Sequence, residues 1–183
     1  MKIRRVVTGK NANGKSVFIS DGSSPREMAL QHTPGFVSSP QWKIDGTPDL
    51  TKTGGADPMA SESTLLASVG GSVFWMITFP PDSVMMSPDW KPELAFPEHL
   101  KAAPGITERF EPDNPGMHQT PTVDYVTVIK GTVVLELDDG KTVELHQGDT
   151  VVQQGARHAW RNPTKEPVTV SVVMIGAKTA LAS

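Results

Sequence analysis

Two histidines and one aspartate in the second half of the chain have the side-chain types of a metal site. Side chains at alternate positions of an extended strand lie on one face. His118 and Asp124 are an even number of positions apart, so one strand would present both on the same face. That face would be polar at its start and apolar at its end, and its members are His118, Thr120, Thr122, Asp124, Val126 and Val128. Such a strand would run from the mouth of a β-barrel into its core.

Asp124 needs a partner if it lies within a strand. An aspartate is disfavoured there, and a buried carboxylate is costly unless it is paired or bound to a metal. His118 on the same face and His158 from a neighbouring strand would complete a set of two imidazoles and one carboxylate. This set is typical of open Fe(II) centres and also suits Zn, Mn or Ni. Alternatively, Asp124 only accepts hydrogen bonds from the backbone, Arg157 or Arg161.

The region around these residues predicts a succession of short strands. Runs rich in β-branched residues alternate with turns, and the stretch from Asp138 to Lys141 has the composition of a hairpin turn. The predicted strands are 123–129, 133–137, 143–146, 150–154, 158–161 and 168–175. Because no helical pattern separates them, the sequence predicts an all-β fold. Residues 122–178 would form an antiparallel β-barrel or jelly roll.

Residues 1–80 predict further strands and an arm that packs on this barrel. Strands are expected at 3–8, 16–20 and 72–79, and one more near Phe36 or Trp42. The rest of 25–53 predicts an arm or a long loop, and 60–67 predict a short helix.

Residues 81–121 predict a proline-rich loop, in which 93–102 would form one or two helical turns. Such a loop could serve as a lid over a site. The segments 1–80, 81–121 and 122–178 would together make one structural domain.

Composition limits the classes of function. The 183 residues contain no cysteine, which excludes disulfides, thiolate metal sites and cysteine catalysis. A net charge of −3 gives no basic footprint for a nucleic-acid partner. No apolar run approaches the roughly 20 residues that a membrane-spanning helix needs. We therefore expect a cytoplasmic protein without a membrane or nucleic-acid partner.

Two stretches resemble the signature motifs of the cupin superfamily. The first family motif is His-x-His, three or four residues, Glu, six residues and Gly. The second is Gly, five residues, Pro-x-Gly, two residues, His, three residues and Asn. The matching positions here are His118, Asp124, Gly131, Gly155, His158 and Asn162. The resemblance extends over nearly the whole chain and is strongest to a subgroup of small cupin-domain proteins.

Five features depart from these motifs. Thr120 replaces the second histidine, Asp124 replaces the longer glutamate, and Gln153 replaces the proline. Pro112 stands where the first motif would open with glycine, and the loop after Gly148 is one residue shorter. The resemblance therefore implies three metal ligands, His118, Asp124 and His158, instead of four.

The resemblance also implies a function. Similar cupins are metal-dependent enzymes that act on small organic molecules, such as carboxylates or aromatic and polyketide-like compounds. The expected reaction is that of a dioxygenase, a decarboxylase or an isomerase, with a divalent Fe, Mn, Ni or Zn ion as cofactor. Asp124 would be a metal ligand or, if the histidines alone hold the metal, a general base. The alternative is a non-catalytic module that binds a small molecule through hydrogen bonds.

Four further residues are candidates for the ligand pocket: Thr120, Trp160, Arg157 and Met117. Trp160 would line the pocket or pack within the barrel, and Arg157 would hold a substrate carboxylate or remain solvated. The long N-terminal arm predicts a homodimer, because its strands could pair with the edge of a neighbour's sheet.

Overall fold

The computed structural model describes residues 3–52 and 56–179, and most of its regular structure is β-strand. Thr53, the end of the predicted arm, lies outside the described residues. One helix of three turns, α1, spans Pro92–Ala102. The strands are β1 Arg5–Lys10, β2 Ser16–Gly22, β3 Met28–Ala29, β4 Val37–Ile44, β5 Ser72–Phe79, β6 Thr122–Lys130, β7 Thr132–Glu136, β8 Thr142–His146, β9 Thr150–Gln154, β10 Ala159–Arg161 and β11 Val168–Gly176.

The strands form antiparallel sheets, which confirms the all-β prediction. A six-stranded sheet has the order β3-β4-β5-β11-β6-β9, and a three-stranded sheet has the order β10-β7-β8. Strands β1 and β2 make a hairpin that is a two-stranded sheet of its own. Over the described residues the strands therefore form facing open sheets of a jelly roll, and not one closed barrel.

The hydrophobic core lies between the two larger sheets. Alternate residues of β6 are buried, so Val126 and Val128 point inward while Tyr125 is exposed, as the period of a half-buried strand requires. Val133 and Leu135 of β7 meet them from the opposite sheet. The predicted inward face of β6 is therefore confirmed.

The predicted helix at 60–67 is wrong. A single 3-10 turn covers Pro58–Ala60, and the following residues are irregular. The Thr64 hydroxyl accepts a hydrogen bond from the Leu66 N–H at 3.1 Å, and the Leu65 N–H donates to the Pro104 carbonyl at 2.7 Å. These bonds replace the ones that a helix would make.

The proline-rich segment contains a longer helix than predicted. Pro92 occupies the first turn of α1, where its missing N–H leaves no helical bond unmade. Pro97 lies inside the helix, yet Ala95 and Ala102 are buried against the rest of the fold. Tertiary packing therefore stabilises α1 despite its prolines. Among the described residues, no helix is long and apolar enough to cross a membrane.

The three-segment division at 80 and 121 stays a prediction. The six-stranded sheet joins β4 and β5 from the first segment to β6, β9 and β11 from the last. Residues before 122 thus contribute three strands, β3, β4 and β5, to the sheet that carries Asp124.

Candidate metal and ligand site

His118 and His158 lie side by side just beyond the end of the paired strands β6 and β9. Strand β6 begins only at Thr122, so His118 is not part of one continuous strand with Asp124. Instead, each histidine N–H donates to the other's carbonyl at 2.9 Å, which makes an isolated antiparallel bridge. The two imidazole rings have their centroids 4.4 Å apart. The backbone therefore brings together two of the three ligands that the sequence predicts.

Both imidazoles are held in the same way by a carbonyl two residues earlier. Nδ1 of His118 lies 2.9 Å from the Gly116 carbonyl oxygen, and Nδ1 of His158 lies 2.9 Å from that of Ala156. Because a carbonyl oxygen only accepts, each Nδ1 carries the proton and donates. Each Nε2 is then left with a lone pair, which is the form of histidine that binds a metal.

Burial keeps both rings neutral. It is the main cause of the lowering of the His158 pKa to about 4, and the neighbouring His118 is the second cause. Burial also lowers the pKa of His118. Neutral imidazoles with free Nε2 atoms fit a divalent metal ion, since a ligating histidine must be unprotonated at the binding nitrogen.

Asp124 lies deeper on the wall formed by β6 and β9, and its side chain is 5% exposed. Burial raises the pKa of its carboxyl, and a hydrogen bond from the Thr122 side chain partly opposes this. Its Oδ1 atom is buried and has no hydrogen-bond partner among the described residues. Within residues 3–52 and 56–179, no three His, Asp or Glu side chains come together in a group that could hold a metal. The role of Asp124 as a third ligand or as a base stays a prediction.

Gln153 faces Asp124 across the strand pair and was not among the predicted site residues. The two residues are direct partners in the β6–β9 register, so their side chains share the inward face. Gln153 is 4% exposed, and neither its Nε2 nor its Oε1 has a partner in the described part of the chain. The signal in the sequence was the departure from proline at this position, but the inward direction followed only from the register.

The four predicted pocket residues have different surroundings. Thr120 is buried and its hydroxyl lies 2.8 Å from that of Thr122. Met117 is also buried, and Trp160 is half-buried with its ring edge-on to His158 at 5.9 Å. These three residues lie next to the histidine pair in space or in the chain. Their contact with a ligand stays a prediction.

The Arg157 guanidinium is occupied by two carboxylates. It donates twice to Glu111 at 2.6 Å and once to Asp138 at 2.7 Å. Arg161 makes parallel contacts, donating to Glu136 and to the Asn114 side chain. Both arginines thereby tie the segment before His118 to the three-stranded sheet.

An open cleft of about 590 Å³ lies at the start of β6. Its lining includes Thr120 and Thr122 from the buried wall, together with Arg109 and Lys178. The cleft therefore reaches the polar residues that precede Asp124 on β6.

The chain is similar to a family model, to known relatives and to solved structures. The model of the Cupin domain matches residues 107–175. The chain is 32% identical over 132 residues to Oryzines biosynthesis cluster protein J of Aspergillus oryzae, covering 67% of this chain and 72% of that protein. It is 30% identical over 166 residues to the cupin-domain-containing oxidoreductase virC of Hypocrea virens, covering 87% of this chain and 67% of that protein. Among solved structures, the Cupin_2 domain of an XRE family transcriptional regulator from Enterobacter cloacae aligns with a TM-score of 0.35 at 15% identity, covering 58% of this chain and 83% of that one.

Proposed function

The chain belongs to the cupin family, and we propose that it is a metal-dependent enzyme that acts on a small organic molecule. The observation that carries this proposal is the pair of neutral imidazoles at 4.4 Å with both Nε2 atoms free to bind. The two relatives support an enzymatic role, because one is named for a biosynthesis cluster and the other as an oxidoreductase. The reaction would be that of a dioxygenase, a decarboxylase or an isomerase.

His118 and His158 would hold the metal, and Fe, Mn, Ni and Zn all suit imidazole ligands. A bound ion would act as a Lewis acid or a redox centre. The chain's own contribution is the fixed orientation of both rings by the carbonyls of Gly116 and Ala156. Asp124 would accept a proton from the substrate at its unpartnered Oδ1, since burial raises the pKa of this carboxyl above its ordinary value.

Metal analysis of protein purified without chelator tests this proposal. We expect close to one divalent ion per chain in the wild type, and less than about one tenth of that in His118→Ala/His158→Ala. His146→Ala is the matched control, because His146 is an exposed histidine on β8 and its loss should leave the metal content unchanged. Equal metal content in the double variant and the wild type would refute the histidine site.

A non-catalytic binding module is the second candidate. It is favoured by the lack of a three-ligand group in the described residues and by Thr120 at the position of the family's second histidine. The two candidates differ in one measurement, since a binding module would stay metal-free even after incubation with each of the four ions.

A homodimer is proposed from the N-terminal hairpin. Strands β1 and β2 expose apolar side chains, and Phe18 is 79% exposed. Burial against a second copy would remove this apolar surface from water. We expect light scattering to give about twice the 19.7 kDa mass of one chain for the wild type and about one chain mass for Phe18→Glu. Leu50→Glu, at an 82% exposed apolar residue outside the hairpin, should remain dimeric.

A further inference from the structure

Asp124 and Gln153 form a buried polar pair whose hydrogen bonds are incomplete. They face each other on β6 and β9, and their side chains are 5% and 4% exposed. Three of their atoms have no partner in the described residues: Asp124 Oδ1, Gln153 Oε1 and Gln153 Nε2. Buried polar groups in folded proteins are nearly always hydrogen-bonded, so an unpartnered set of this kind requires an explanation.

The neighbours of the pair do not supply the missing bonds. On the other side of Asp124, its cross-strand partner in β11 is the apolar residue Met174. The Thr120 and Thr122 hydroxyls lie 2.8 Å apart, and the hydrogen bond from Thr122 to the Asp124 carboxyl leaves Oδ1 without a described partner. The open cleft is lined by these threonines and by Val123 and Gln154 on the other face of the strand pair, and neither Asp124 nor Gln153 is among its lining residues. The described residues therefore leave these hydrogen bonds to another group.

We infer that the Asp124–Gln153 pair binds an uncharged group of the substrate that offers two hydrogen-bond donors and one acceptor. The two oxygens can accept two bonds and the Gln153 amide nitrogen can donate one, which matches a primary amide or a vicinal diol. This inference rests on the proposed function and specifies its substrate class.

A carboxylate group does not fit this pair. It has no proton to donate to either oxygen, and it would place a negative charge next to the carboxyl of Asp124. Arg157 is already bound to Glu111 and Asp138, and Arg109 and Lys178 line a cleft whose lining includes neither Asp124 nor Gln153. The structure thus favours a neutral substrate group over the carboxylate that the sequence allowed.

Three aromatic probes of similar size test the inference on metal-free protein. Benzamide carries the amide, 1-phenyl-1,2-ethanediol carries the diol, and benzoate carries the charged group in the shape of benzamide. By ligand-observed NMR in EDTA, we expect benzamide or the diol to bind at least about ten-fold more tightly than benzoate. Binding of neither neutral probe, or equal binding of benzoate, would overturn the inference.

Substitution of Gln153 separates recognition from a structural role. Gln153→Leu should weaken binding of the neutral probe at least about ten-fold, while its melting temperature stays equal to or above that of the wild type, because an unsatisfied buried amide is removed. Gln147→Leu is the matched control, since Gln147 is an exposed glutamine in the turn before β9 and does not line the cleft. A lower melting temperature for Gln153→Leu, or equal loss of binding in the control, would show a structural role.

The same variant distinguishes this inference from the metal proposal. Gln153→Leu should bind as much metal as the wild type, since Gln153 is not one of the proposed ligands. A protein that binds benzamide through Gln153 but never binds metal would contradict the proposed enzyme and retain the recognition pair. If the wild type binds metal but Gln153→Leu binds the probes as well as the wild type does, the proposed enzyme is retained and the recognition pair is contradicted.

Discussion

Metal-free protein should lose stability as the pH falls from about 6.5 to about 4, because His158 is buried as a neutral imidazole. The pKa of His158 is lowered from its ordinary 6.5 to about 4, mainly by burial and to a smaller extent by the neighbouring His118. Between these two values the unfolded chain binds a proton that the folded chain does not. The stabilisation is therefore complete above about pH 6.5 and declines as the pH falls. At about 1.4 kcal/mol per pKa unit, the full loss is about 3 kcal/mol.

Urea denaturation in EDTA at several pH values between about 7.5 and 4.5 measures this loss. Wild type and His158→Gln share their carboxylates, so the difference between their free energies of unfolding isolates His158. We expect this difference to change by about 2 to 3 kcal/mol across the range, with the wild type losing more. His146→Gln, at an exposed histidine, should follow the wild type. Parallel curves for the wild type and His158→Gln would refute the buried neutral state of His158.

Two further predictions concern stability. Asp57→Ala should lower the free energy of unfolding by about 3 kcal/mol, because it leaves the buried Arg5 without its carboxylate partner. Asp21→Ala breaks a fully exposed pair and should leave the urea midpoint unchanged. Equal losses of stability in the two variants would contradict the argument. Gly131→Ala should destabilise the protein by about 1 kcal/mol more than Gly148→Ala in thermal unfolding. Both glycines have φ near +90° (87° and 95°), but only at Gly131 would an added Cβ meet a described backbone oxygen, at 3.1 Å.

Strands with a clear period of two could be predicted from the sequence, whereas segments held by distant contacts could not. The prediction for 72–79 coincides with β5, because its run of β-branched and aromatic residues favours a strand in any context. Helix α1 was underestimated because proline propensity counts against it, while the burial of Ala95 that stabilises it depends on the tertiary fold. Sheet order is equally non-local, so the place of β4 and β5 beside β11 was not predicted.

The same distinction holds within the candidate site. The resemblance to the cupin motifs assigned His118 and His158 to one site, and in the structure a backbone bridge joins them, while their role as metal ligands stays a prediction. The partners of Arg157 could not be predicted, because Glu111 lies 46 positions away in the chain on an irregular segment. Local composition allowed either a solvated arginine or a carboxylate-binding one, and only the folded arrangement shows that protein carboxylates occupy it.

Three of the departures from the cupin motifs fall on one wall of the fold, which links them in a way that the linear sequence does not show. Thr120 and Asp124 are buried on the β6 side of this wall, and Gln153 faces Asp124 from β9. Where the family pattern has a histidine, a glutamate and a proline, this chain has a hydroxyl, a shorter carboxyl and an amide. Each replacement withdraws or shortens a metal ligand or adds a hydrogen-bonding group. If the histidine pair holds the metal at one end of the wall, the replaced residues leave its other end suited to hydrogen-bond a neutral substrate. Reversing single departures should then separate the two functions. Gln153→Pro would remove the amide that recognises the probe, whereas Thr120→His would add an imidazole and raise metal affinity without restoring probe binding to a Gln153 variant.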